Sequence, residues 1–133
     1  MKEELALYIN TAEAELMIIG LQQGADFLVK EEIKAPRQQS EKLLVAIDQL
    51  LVKNKFNLSE LKKIIVKQTG SSFTSLRIGV LTANALAYAL KIPVVAAEGN
   101  DKLLSGQSGI GIVKPIYQRK VLFNKSRPKE TKK

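Results

Sequence analysis

The sequence predicts an α/β domain, and three observations carry that expectation. Three strand-length apolar runs open the 133-residue chain, separated by turn residues. Two helical apolar stripes follow. Each stripe is then succeeded by a short β-branched run, which gives the order β-β-β-α-β-α-β: an antiparallel meander continued by right-handed parallel crossovers.

Leu5 to Asn10 reads as the first strand, ended by Asn10-Thr11, and Glu15 to Leu21 reads as its hairpin partner. Gly24 breaks the pattern before a third strand, Phe27 to Ile33, with partial polar–apolar alternation. Pro36 marks the next turn. Ser40 is the expected N-cap of the first helix, and Glu41 suits the positive end of its dipole. Leu43, Leu44, Ile47, Leu50 and Leu51 form that helix's core stripe, with Val45, Ala46 and Val52 lying off it. Leu58 to Leu61 suits one helical turn leading into the strand Lys63 to Lys67. Residues 73–90 form the second helix, and Ile92 to Ala96 the last strand, with Pro93 at its start where a missing N–H is tolerated. This order is one lobe of a ribonuclease H-like or actin-like ATPase fold. A short extended piece is expected between Val113 and Tyr117.

The second helix has more apolar surface than one sheet covers. Leu76, Val80, Ala83 and Ala87 lie along one face, and Ile78, Leu81, Ala85 and Ala89 along another. Ser75, Gly79, Ala83 and Ala87 recur at every fourth residue, a stripe of small side chains that admits a close backbone. Something beyond the protein's own sheet is expected to cover the rest.

The chain has no cysteine and no histidine, which excludes disulfides, thiolate chemistry, a Ser-His-Asp triad and a conventional zinc hydrolase site. No apolar run is expected to reach spanning length without polar interruption, and no signal-peptide pattern opens the sequence, so the chain reads as cytoplasmic with no membrane partner. Its net charge of +8 is uneven: residues 1–100 carry 12 basic and 11 acidic side chains, residues 101–133 carry 9 and 2. A cationic tail suits either a phosphate-rich partner or simple solvation. In residues 1–100 the aromatics are Tyr8, Phe27, Phe56, Phe73 and Tyr88, most at core-like positions, which argues against a nucleic-acid surface on the body.

At residues 40–96 the chain resembles the TsaB (YeaZ) family, bacterial partners of TsaD in threonylcarbamoyladenosine modification of tRNA. The resemblance rests on Ser40-Glu41-Lys42-Leu43-Leu44, Ile47-Asp48-Gln49-Leu50-Leu51, Ser72-Phe73-Thr74, Leu76-Arg77-Ile78-Gly79 and Ile92-Pro93-Val94-Val95. Tyr8 to Thr11 and Pro115 to Arg119 are similar to the family's first strand and terminal segment. The chain departs from the family at Asn10, where an Asp is usual, at Gln39, at Thr69 to Ser71 in place of a Gly-Pro-Gly turn, and at Ser75 in place of a Gly.

The resemblance implies one lobe at residues 1–100, a short linker at 101–114 where the second lobe would be, and a C-terminal segment at 115–133 with a basic tail lacking order in isolation. It implies a noncatalytic scaffold, without cofactor or metal, that binds a TsaD-like protein through its two long helices. A homodimer is implied when the chain is alone, and a TsaE-like ATPase as a further partner. The interface would use Leu44, Val45, Ile47, Asp48, Leu51, Leu76, Arg77, Gly79, Val80, Ala83, Asn84 and Ala87. Asn10, Ser71, Ser72 and Thr74 are the candidate anion- or nucleotide-proximal residues, though Ser72 suits a helix cap better. Arg77 suits a phosphate, an acidic partner residue or a contact within the fold. Arg119, Lys120, Lys125, Arg127 and Lys129 are candidate tRNA contacts. Two rival readings are an independent homodimeric tRNA-binding module and a degenerate actin-like ATPase. Asn10 supplies no carboxylate for the second of these.

Overall fold

A computed structural model describes residues 4–36, 38–97 and 116–117. β1 (Leu5–Glu13), β2 (Leu16–Gln23) and β3 (Asp26–Lys34) form the meander. α1 (Gln39–Lys53) leads through a 3₁₀ turn at Leu58–Glu60 into β4 (Leu61–Val66). β5 (Thr69–Gly70), α2 (Phe73–Leu90) and β6 (Val94–Ala96) follow, and β7 (Ile116–Tyr117) pairs in parallel with β5. The main sheet has the order β3-β2-β1-β4-β6, with β1–β2 and β2–β3 antiparallel and β1–β4 and β4–β6 parallel. The expected element order is therefore present.

Both helices lie on one face of this sheet and touch each other. Leu7 pairs with Leu21 and Ile64, and Ile64 with Val94, so one row of buried aliphatics crosses four strands. Ile9, Ile19 and Val66 form a second row. Leu43, Ile47, Leu50 and Leu51 from α1 and Val80, Ala83 and Ala87 from α2 close over these rows. Such burial supplies about 25 cal/mol for each Å² of apolar surface removed from water.

Local chemistry moves several boundaries. β1 runs to Glu13 rather than ending at Asn10, because its register shifts after Asn10 and pairing resumes at Glu13 with Leu16. Ser40 is not the N-cap of α1: the helix starts at Gln39 after Gln38, whose side chain makes no cap bond. The Gln39 amide reaches back to donate to the Glu13 carbonyl at 3.0 Å, holding the first turn against the end of β1. The 3₁₀ turn is fixed by a capping box between Asn57 and Glu60. The last strand starts at Val94 rather than Ile92, since the Ile92 N–H is used on Ala87 O at the end of α2.

By length and composition alone α2 is long and apolar enough to cross a bilayer, which narrows the expectation that no segment reaches that length. In this fold a third of it is buried (33%), against β1, β4 and α1. The expected linker at 101–114 and tail from 118 lie outside the described residues.

Candidate functional site

Two surfaces gather the residues singled out in the sequence. The first is the outer side of the helix pair. α1 presents Leu44, Val45 and Val52, and α2 presents Phe73, Leu81 and Tyr88, all exposed. On α2, Arg77, Leu81, Ala85 and Tyr88 follow one another at helical spacing along an exposed ridge. Between the helices, Leu44, Leu81, Thr82, Ala85 and Leu86 line an apolar groove of about 300 Å³. Val45 faces a different depression, toward β3, shared with Ile33 and Gln49.

The expected interface set divides accordingly. Leu44, Val45, Asp48 and Arg77 are exposed and Asn84 is half-buried. Ile47, Leu51, Leu76, Gly79, Val80, Ala83 and Ala87 are buried inside the protein, so they do not form the surface of the folded chain. The small-residue stripe admits the chain's own β1 rather than a foreign helix. Thr11 Oγ1 donates to Ser75 O at 2.7 Å, and a Cβ added at Gly79 would run into that same Thr11 side chain. Leu81, Ala85 and Leu86 belong to the outer surface and were absent from the expected set. The signal was present, since Leu81 and Ala85 stand on the second apolar face of the α2 pattern.

Arg77 lies exposed over Phe73, its guanidinium carbon 5.4 Å from the ring centroid, one turn along α2. That contact keeps the cation beside the outer ridge.

The second surface is the end of β1, where both helices begin. Asn10 Oδ1 accepts from the Ala12 N–H at 3.0 Å, and Asn10 Nδ2 donates to the Tyr8 hydroxyl at 3.3 Å. The Asn10 side chain thus stabilises the irregular end of its own strand. The Ser72 N–H donates to Ala12 O, and Ser72 Oγ accepts from the Ser75 N–H at 3.3 Å as the N-cap of α2. Ser75 Oγ donates to Glu13 O, the carbonyl that Gln39 also bonds. Ser71 and Thr74 are exposed. The groove here, about 340 Å³, is lined by Ala14, Gln39, Ser40, Ser72, Thr74, Ser75 and Ile78, so no lining side chain ionises. Of the two roles open to Ser72, the cap is the one its geometry fills. Among the described residues no group of three or more His, Cys, Asp or Glu could hold a metal.

The aromatic positions differ from expectation. Phe27, Phe73 and Tyr88 are exposed, and Tyr8 and Phe56 are half-buried. Phe56 packs against the edge of the buried core, and the other four lie outside it, because α2 and α1 present aliphatic and small residues to the sheet. The candidate tRNA contacts Arg119, Lys120, Lys125, Arg127 and Lys129 lie outside the described residues.

Residues 32–100, just over half of the chain, match the family described as "TsaD: tRNA N6-adenosine threonylcarbamoyltransferase". The tRNA threonylcarbamoyladenosine biosynthesis protein TsaB of Bacillus subtilis is 31% identical over 113 residues, covering 84% of this chain and 48% of that protein. YeaZ from Pseudomonas aeruginosa superposes with a TM-score of 0.64 at 26% identity, over 71% of this chain and 43% of that one. A second Pseudomonas aeruginosa structure, described as similar to peptidase YEAZ, gives a TM-score of 0.65 at 26% identity over the same shares. The chain spans about half the length of the curated relative it matches. With the matching sequence motifs and one lobe of the same α/β architecture, the chain belongs to the TsaB (YeaZ) family.

Proposed function

We propose that this chain is a noncatalytic scaffold subunit in threonylcarbamoyladenosine modification of tRNA, docking a TsaD-like protein on the outer side of α1 and α2. The observation that carries the reading is the apolar groove between the helices, with Leu44 at 54% and Leu81 at 58% exposure on its two banks. Exposed leucines facing each other across a groove gain most when a partner excludes water from them. Arg77 and Asp48, exposed on the same helices, supply polar contacts for the rim. The interface therefore uses Leu44, Asp48, Arg77, Leu81 and Ala85 rather than the buried residues of the small stripe.

The reading includes no cofactor and no catalytic residue: of the candidate nucleotide-proximal groups, Asn10 and Ser72 are engaged in strand and cap bonds. A homodimer through the same groove competes with the heterodimer, and a TsaE-like ATPase joins as a further partner. The setting is the cytoplasm. Arg119 to Lys129 add affinity for tRNA in the assembled complex.

Mixing the chain with TsaD from the same genome and separating by size tests the scaffold reading. Co-elution is expected, and Leu81→Glu or Leu44→Glu is expected to abolish it while leaving the circular dichroism spectrum intact. Independent elution of two folded proteins would refute the reading. Calorimetric titration with magnesium ATP tests the degenerate ATPase alternative, for which no heat is expected.

A further inference from the structure

The face of the sheet opposite the helices has a composition unlike a packed interior. Strand pairing places Lys30, Gly20, Tyr8, Ile65 and Val95 side by side in one row across all five strands. The Phe27 ring fills the space that a side chain at Gly20 would take: a Cβ there would lie 2.9 Å from the ring. Phe27 meets Tyr8 edge-on, with centroids 5.3 Å apart, and Lys30 Nζ sits 4.7 Å from the Phe27 centroid. Phe27 is exposed, and Tyr8, Ile18, Ile65 and Val95 are half-buried. The strand ladders put Lys34 and Lys63 on this face too, beside Leu16 and Ala6, against two acids, Glu32 beside Ile18 and Glu13 beside Leu16.

We infer that this face, over which no helix lies among the described residues, binds single-stranded RNA. Two adjacent aromatic side chains on an open sheet, flanked by lysines, are the elements by which a sheet engages unpaired bases and their phosphates. The excess of lysine over acid disfavours a basic occupant, and the chain's own C-terminal residues 118–133, with 7 basic side chains and 1 acidic, are basic. The face is separate from the helix groove, so this inference stands or falls independently of partner docking.

Anisotropy of a fluorescent oligouridylate with the full chain tests it. Lys30→Glu with Lys63→Glu is expected to weaken binding roughly tenfold or more at low salt. Lys42→Glu with Lys91→Glu, the same charge change on exposed residues of the helix layer, is expected to alter it by less than about twofold. Tyr8→Leu is expected to weaken it roughly fivefold with no change in charge. Equal losses from the two charge-reversed pairs, or no binding at low salt, would overturn the inference. Photocrosslinking of 4-thiouridine RNA to the unaltered chain covers the case in which a variant fails to fold. Adducts in the peptides carrying Tyr8, Phe27 or Lys63 support the face, and adducts confined to residues 118–133 or to α1 and α2 overturn it.

Discussion

Adjacent residues of β4 show how differently the two faces of this sheet are built. Ile64 points under the helices and has no exposure, whereas Ile65 points to the helix-free side and is half-buried. On the covered face, small residues are on the helix: Ser75 and Gly79 let α2 descend onto Thr11. On the open face the small residue is in the sheet, where Gly20 makes room for one ring. The same device, a missing side chain, serves helix docking in one place and aromatic placement in the other. The covered face specifies the fold, while the open face carries aromatics and lysines that no core requires.

The sharpest way to break this comparison is to truncate the neighbouring isoleucines separately. Ile64→Ala is expected to destabilise by about 3–5 kcal/mol, the cost of a cavity in a fully buried site. Ile65→Ala is expected to cost about 1 kcal/mol, as a half-buried strand position does. Urea unfolding followed by circular dichroism reads both. Equal losses would mean that the helix-free face is packed as tightly as the other.

Gly79→Ala comes next, at about 2–3 kcal/mol, because the added methyl forces α2 away from Thr11. Combining it with Thr11→Ala is expected to cost less than the two single changes together, since the obstructing hydroxyl is gone. Additive costs would show that α2 does not rest on Thr11. Gly20→Ala is expected to cost about 1–2 kcal/mol, its methyl meeting Val29 O at 2.8 Å and the Phe27 ring at 2.9 Å. Near-ultraviolet circular dichroism should record the displaced ring. An unchanged spectrum and stability would show that Phe27 is not held over Gly20.

Much of this was legible in the sequence, and the failures share a cause. Helical periodicity separated the two apolar faces of α2, and apolar runs bounded by turn residues, with β-branched runs after each helix, found the strands of the main sheet. Periodicity does not say which face meets the sheet. The expected interface therefore includes residues such as Val80 and Ala83, which in this fold pack inside the protein. The cap at Ser40 failed because Gln39 bonds Glu13 O, a contact between residues far apart in sequence. At the end of β1, by contrast, Asn10 bonds the Ala12 N–H and Ser72 caps α2, which is one of the two roles the sequence leaves open to Ser72. Most of the aromatics stand at core-like positions in the sequence pattern, yet whether a ring is buried depends on which layers exist above it. No layer over Tyr8 and Phe27 is among the described elements of this chain.

The smallest expected effect has the opposite sign to the other glycine changes. Both helices on the covered face end near a lysine in the left-handed region, Lys55 at φ 63° and Lys91 at φ 59°. A side chain there costs roughly 1 kcal/mol relative to glycine, the residue usual at such helix ends. Lys91 also stands at the negative end of α2, where its charge recovers a few tenths of a kcal/mol. Lys91→Gly is therefore expected to stabilise by about 0.5 kcal/mol, read as a higher urea midpoint with unchanged slope. Lys91→Ala removes the charge but keeps the Cβ, and is expected to destabilise slightly. A loss of stability with glycine as large as with alanine would show that the charge outweighs the backbone strain. The end of α2 would then be held by a charge at the helix terminus, unlike its start, which close packing and a buried hydrogen bond fix against Thr11.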